Sequence, residues 1–336
     1  MISTLTVSRR QLLQLSAGCL AAASAPGMLH AQNTGGALDL SKVILGSPAG
    51  TLLDIFARRV ADSIQPAYSR NVIVDNRVGA GGQIAISAVK AAPADGTSIL
   101  LTPSPMMGIY PHTYPKLPYD PVADFIPVSL GAVFDLAFSV GPLVPASVKT
   151  LPEFFEWCKA NKAAANFGSP AAGSSPHFMG SMAAQAAGVE LTHVPFRGTT
   201  PAILDMVGGQ IAAVAAPLGD FMPFVESGKC RVLATTGEKR SRFAPAVPTF
   251  LELGYKNIVL NDWFAFFVAA RTPAAHVQRL SNALKTSLTS PTVVKAMADR
   301  GLEARWSTSA ELAARLQGDL AKWKPIVKSL NFTATS

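Results

Sequence analysis

Two short turns carry most of the chemistry open to this sequence: "GSPAG" from Gly46 to Gly50 and "GSPAAG" from Gly168 to Gly173, 122 positions apart. Each follows a β-leaning segment ("DLSKVIL", "AANF") and runs into a helical pattern ("TLLDIFARRVADSI", "SSPHFMGSMAAQAAG"). The first turn of a helix has backbone N–H groups without intrahelical partners and sits at the positive end of the helix dipole. Glycine and other small residues let a ligand come close to that backbone. Two such turns therefore predict a pair of anion-binding corners that grip a carboxylate at one or both ends. The dipole of each corner contributes only about 0.3 to 2 kcal/mol. Micromolar binding needs about 8 kcal/mol, so hydrogen bonds, desolvation and closure around the ligand must supply the rest.

Other groupings fall short of a reaction. "GAGG" (Gly79–Gly82) follows a strand as a dinucleotide loop does, but the G-x-G-x-x-G spacing fails and no acidic residue ends the next strand, at Thr97 to Leu101. Ser174, Ser175 and His177 lack the G-x-S-x-G elbow of a hydrolase, and His177 falls in the first turns of a helix, where it caps or packs. His112, His177, His193 and His276 show no metal-ligand spacing with cysteine or carboxylate. No catalytic residue, metal or cofactor is predicted. Asp54 either receives an ammonium group or answers its own helix dipole, paired with Arg58 one turn on. Arg197 either meets a carboxylate in bidentate fashion or lies on the surface near a hinge.

The elements that must hold these groups alternate. Leu52, Phe56, Val60 and Ile64 mark an amphipathic helix after the strand "SKVILGS"; "NVIVDNR" and "DGTSILLTPS" are further strands, with "QIAISAVKAAP" a helix between them. Units of this length imply an α/β fold with mostly parallel sheets flanked by helices. The Pro- and Tyr-rich "YPHTYPKLPYDPVADFIPV" is expected to be an irregular loop. After "LAFSVGP" a second α/β unit begins, and the tail from "WFAFFVAA" onward is largely helical and returns to the first unit. The expected organisation is a first lobe of residues 38–137 and 263–336, a second of 138–262, and a cleft between them. Chain crossovers are expected near residues 136–140 and 261–267.

At 336 residues, 49% hydrophobic and 15% charged, the chain has ample core for two such lobes. Residues 1–31 read as an export signal, with Arg9 and Arg10 before an apolar, Ala-rich stretch and Ala31 at a cleavage point. Ser8, Arg9, Arg10, Leu12 and Leu13 favour the twin-arginine route over the general one. Cys19 raises a lipoprotein reading that Ser16 and the apolar sequence after it disfavour. Without the leader the chain holds 27 basic and 21 acidic residues, a net of +6, scattered rather than clustered. That excess suits an anionic ligand or an anionic membrane surface and argues against nucleic acid. Cys158 and Cys230 remain; an oxidising compartment permits a bridge, and two unpaired, partly buried thiols are the plainer reading.

The stretches "SPAGTLLDIFAR", "VIVDNRVGAGGQIA", "ADGTSILL", "LPYDPVADFIPV", "GSPAAGSSPHF", "HVPFRGTTPAILDMVGGQI" and "CRVLATTGEKRSRFAPAVPTFLELGY", with the terminal helices, resemble in order the Bug receptors of tripartite tricarboxylate transporters. The resemblance implies a two-lobed periplasmic binding protein of the type II-like, two-crossover kind. It would be a monomer that captures a small carboxylate and delivers it to two membrane subunits of a cation-driven importer. A receptor that signals to a sensor protein is the alternative. Carried over position by position, the ligand would meet Ala49, Gly50, Thr51 and Leu52 on one lobe and Ser169, Gly173, Ser174 and Ser175 on the other. Ser104, Phe196 and Arg197 would lie on the cleft walls, and Asp220 is a further candidate. Thr51, Leu52 and Leu53 stand where the family commonly has a glycine, a proline and a threonine, and Ala171 replaces a usual glycine. Leu52 would then line the cleft or be buried behind its helix.

Overall fold

The structure is a computed structural model that describes residues 38–334; the expected leader at 1–31 lies outside them. The described residues begin with β1 (Leu38–Leu45), α1 (Leu52–Tyr68), β2 (Ser69–Asn76), α2 (Gln83–Ala91) and β3 (Ser98–Pro103). Both β2 and β3 pair with β1 in parallel. The four-residue apolar spacing in α1 does what it predicts: Leu52, Phe56, Val60 and Ile64 are all buried, because that spacing keeps one face of the helix turned to the sheet.

Two short helices, α3 (Ser104–Gly108) and α4 (Tyr110–Thr113), lead to the long strand β4 (Phe125–Val140). The stretch expected to be an irregular loop is thus partly regular. Tyr110 and Tyr119 are buried within it, which costs little because each phenol donates to a carbonyl, Tyr110 to Gly81 O at 3.0 Å and Tyr119 to Met106 O at 2.5 Å. The last residues of that stretch, from Phe125 on, already belong to β4.

The second α/β region comprises α5 (Leu151–Ala160), β5 (Asn166–Ser169), α6 (Ser175–Ala186), β6 (Thr192–Pro195), α7 (Thr199–Val207), β7 (Ala213–Pro217), α8 (Leu218–Glu226) and β8 (Arg231–Thr235). The chain then returns through β9 (Asn261–Ala269), α9 (Ala274–Leu288), α10 (Pro291–Ala298), β10 (Glu303–Ala304) and α11 (Ser309–Ser329). Read along the hydrogen bonds, the strands run β2-β1-β3-β9-β4-β7-β5-β6, with β10 and β8 also on β4. Residues Phe125–Asp135 of β4 pair with β9, and Leu136–Val140 pair with β7 and β8. One strand therefore serves two sheets. Each sheet is mixed: the expected parallel strands form its outer part, and β4 and β9 join it antiparallel.

Strand β9 is the "WFAFFVAA" run, regular β rather than part of a helical tail. It is buried from Asp262 to Ala269, and a strand covered on both faces needs no polar alternation. Helix α9 packs on α1 and β4, and α11 lies along β4 and α3. The far end of α11 also touches the second region: Trp323 lies beside Phe178 of α6 (5.8 Å between ring centroids), and Phe332 meets the same ring edge-on (5.4 Å). Cys158 and Cys230 are both buried free thiols.

Candidate functional site

The turns ahead of α1 and α6 follow one plan. Gly50 (φ +80°) and Gly173 (φ +72°) adopt the left-handed conformation that side chains resist. The next residue caps the helix: Thr51 Oγ1 accepts the Asp54 N–H (3.4 Å), and Ser174 Oγ accepts the His177 N–H (3.5 Å). Each cap hydroxyl donates back to the loop, Thr51 to Pro48 O (2.8 Å) and Ser174 to Ala171 O (2.7 Å). The third helical residue then reaches back to the glycine. Asp54 Oδ2 accepts the Gly50 N–H at 2.9 Å, and His177 Nδ1 accepts the Gly173 N–H at 3.0 Å.

The electrostatics of the two corners differ. At α1, burial pushes the Asp54 carboxyl up, but hydrogen bonds from Arg58, the Gly50 N–H and Asn76, with the Arg58 charge, bring it below the ordinary carboxylate value. Arg58 grips it with two bonds of 3.0 Å, so of the two readings of Asp54 the structure shows the helix-dipole partner paired with Arg58. A second carboxylate is present too. Burial pushes Asp220, in the first turn of α8, up to about 7; the Thr199 hydroxyl and the Leu52 N–H of α1 oppose the shift.

At α6 the partner is neutral. Burial lowers His177 to about 4; burial and the neighbouring His177 lower His193 to about 3. The two rings stack with centroids 3.8 Å apart, and His193 Nε2 lies 2.8 Å from Ser169 Oγ. With His177 Nδ1 accepting from Gly173, its ring proton is on Nε2.

Between the two turns lies a cavity of about 570 Å3. Of the residues singled out in the sequence, Thr51, Leu52, Ser174, Phe196, Arg197 and Asp220 line it. Ala49 and Gly50 are exposed at its edge rather than in its lining. Ser169 and Gly173 are buried behind the second turn, where they hold the histidines. Leu52 is both buried and part of the cavity wall, so its two alternatives coincide. Phe134, Leu136 and Phe264 supply an apolar floor from β4 and β9, and the glycine loop from Gly79 to Gly82 forms another wall.

Ser104 and Ser175 are buried and turn toward Asp262, a cavity residue that motif reading misses. Burial pushes Asp262 up to about 7; Ser175 and Ser104 oppose the shift, Asp319 adds to it and Arg315 opposes it. Neither serine hydroxyl completes a well-shaped hydrogen bond. The available signal was an aspartate at the head of the otherwise apolar strand "NDWFAFF". Among the described residues, no group of three or more His, Cys, Asp or Glu is placed to hold a metal ion, and no helix is long and apolar enough to cross a membrane.

The arrangement can hold a small molecule between two sheets, with amides and one arginine for an anion and aromatic walls for an apolar body. Comparison with known proteins gives three findings. The family described as "Tripartite tricarboxylate transporter family receptor" matches residues 56–332. The chain is 29% identical to protein BugT of Bordetella pertussis over 288 residues, covering 85% of this chain and 88% of that one. Among solved structures it is similar to R. palustris Rpa4515 with adipate (25% identity, TM-score 0.83, covering 88% of this chain and 98% of that one). It is also similar to the periplasmic binding protein BugD (27% identity, TM-score 0.80, 89% and 98%).

Proposed function

The chain belongs to the tripartite tricarboxylate transporter family of receptors, and from that premise we propose that it is an exported periplasmic receptor that captures a small organic carboxylate for a membrane importer. Residues 38–137 with 263–336 form one lobe and 138–262 the other. They hinge at β4 and at the chain leading into β9, close over the ligand, and present the closed form to the two membrane subunits. The ligand is bound and handed over unchanged, without cofactor or metal. Thr51, Leu52, Phe196, Arg197 and the Ala171–Ser174 turn are its contacts.

The observation that carries this reading is the cavity itself, which Thr51 and Ser174, the caps of two helix N-termini, both line. Its size falls in the range of about 300 to 1,000 Å3 usual for small-ligand sites. The similar R. palustris protein holds adipate, and the similar BugD is a periplasmic binding protein. A melting-shift screen of organic acids, amino acids and neutral sugars tests the proposal. A ligand at one hundred times its Kd adds about 2.7 kcal/mol of stability. Carboxylates are expected to give this shift; stabilisation by sugars alone would overturn the reading. Receptor-dependent uptake into vesicles holding the two membrane subunits tests delivery, and activation of a sensor protein without uptake would transfer the receptor to signalling.

A further inference from the structure

Asp262 shares a wall of the cavity with two aromatic rings. On β9 it lies two residues from Phe264, so both side chains leave the same face of the strand. In the register of β4 with β9, Phe134 stands directly opposite Asp262, which puts its side chain on that face too. All three line the cavity, and the two rings have centroids 4.5 Å apart. Trp263, between Asp262 and Phe264 in the chain, faces the other way: its Nε1–H donates to Asp319 of α11 at 2.7 Å.

The chain supplies no countercharge for this acid. Asp262 is only 6% exposed, and among the described residues no basic side chain forms an ion pair with it. The guanidinium of Arg315 donates instead to the Asn261 carbonyl at 2.6 Å and to Asn261 Oδ1 at 3.2 Å. Ser104 and Ser175 turn their hydroxyls toward Asp262 without completing a well-shaped hydrogen bond. A buried carboxylate is costly unless a donor or a cation meets it. The neighbouring rings say which kind of donor suits the place. Aromatic faces are negative, so they attract an ammonium group and give nothing to a second carboxylate. An ammonium also brings three N–H donors to acceptors left open. The opposite sign is present in the same lining: Arg197 faces the cavity with Asp220 and Asp262, so a ligand with one carboxylate and one ammonium meets both charges.

We propose that Asp262, with Phe134 and Phe264, forms a subsite for an ammonium group, so that the receptor selects acids bearing an amino group over the plain acids of the same body. This rests on the proposed carboxylate-receptor function, whose Arg197 and Ala171–Ser174 contacts hold the other end of the ligand, and it narrows the ligand class.

The test uses matched acids that differ only in one group: norleucine with hexanoate, phenylalanine with phenyllactate and phenylpropanoate, and γ-aminobutyrate with γ-hydroxybutyrate and butyrate. Calorimetric titration of the full chain is expected to show the amino acid of the best-binding set at least about tenfold tighter than its plain acid, with a hydroxy acid between them. Asp262→Asn keeps the shape and removes the charge. It is expected to weaken the amino acid at least about tenfold while the plain acid binds as before or more tightly. Phe134→Leu keeps an apolar wall without a ring and is expected to weaken the amino acid by a smaller factor and to leave the plain acid unchanged. Plain acids that bind the wild type as tightly as their amino counterparts overturn the inference and leave the receptor function standing, and that comparison needs no variant to fold. An amino-acid preference that Asp262→Asn leaves untouched also overturns it. Binding by no acid of any set would instead remove the carboxylate-receptor reading.

Discussion

The turn before α1 and the turn before α6 have the same glycine, the same kind of cap and the same back-bond from the third helical residue, yet that residue is Asp54 in one and His177 in the other. The carboxylate answers the helix dipole with a charge and is locked by Arg58 and Asn76. The imidazole satisfies the same N–H with a neutral lone pair and leaves the dipole's field to whatever enters the cavity. Equal backbone geometry thus comes with unequal charge in the group that completes the turn.

The largest expected effect separates the corners by pH. His177 and His193 have folded values of about 4 and about 3, below the ordinary imidazole value of 6.5. The unfolded chain binds more protons in that interval, so their contribution is whole above pH 6.5 and is lost as pH falls through 4. Asp220 and Asp262 carry the opposite sign: with folded values of about 7 against 3.8, their contribution is whole below pH 3.8 and is lost as pH rises through 7. Because both contributions change between pH 4 and 7, urea unfolding across that range is expected to show stability falling more steeply with rising pH in His177→Asn than in the wild type, and less steeply in Asp220→Asn. The same slopes in both variants would erase the contrast.

Next in size is an exchange of chemistry. His177→Asp gives the second corner the same completing group as the first, and the best-binding carboxylate is expected to lose at least 100-fold in affinity, about 2.7 kcal/mol. His177→Asn, which keeps a neutral acceptor, should lose far less. Equal losses would show that the ring's shape matters rather than its lack of charge.

The smallest effect concerns the glycines. Gly50→Ala should cost about 1 kcal/mol from its left-handed backbone alone, since nothing lies within 4 Å of the added carbon. Gly173→Ala should cost more, because the carbon would lie 3.1 Å from Phe332 and 3.4 Å from Thr113 Oγ1. Thermal unfolding of both variants checks the order.

Much of the frame was legible because it depends on neighbours in the chain. The paired turns, the apolar face of α1 and the Asp54–Arg58 pair all act within a few residues, and local spacing reports them. The β9 run and the Tyr110–Tyr119 stretch were harder to read. Their state depends on burial from both sides and on carbonyls far along the chain, such as Gly81 O for Tyr110. Of the candidate contacts, Thr51, Leu52, Ser174, Phe196, Arg197 and Asp220 line the cavity and Ala49, Gly50, Ser169 and Gly173 do not, while Ser104 and Ser175 turn to Asp262, which no motif marks.

By itself the sequence determined that there would be two glycine-led helix starts on alternating strands and helices, since capping and periodicity are decided by residues three or four apart. Only the tertiary structure decided that the two starts would share one cavity. Leu52 and Asp220, 168 positions apart, both line it. Such an approach depends on β4 carrying the chain from one sheet into the other and on Gly219 letting the Arg300 backbone come close. No local preference encodes such an approach, because its geometry is the sum of every packed element in between.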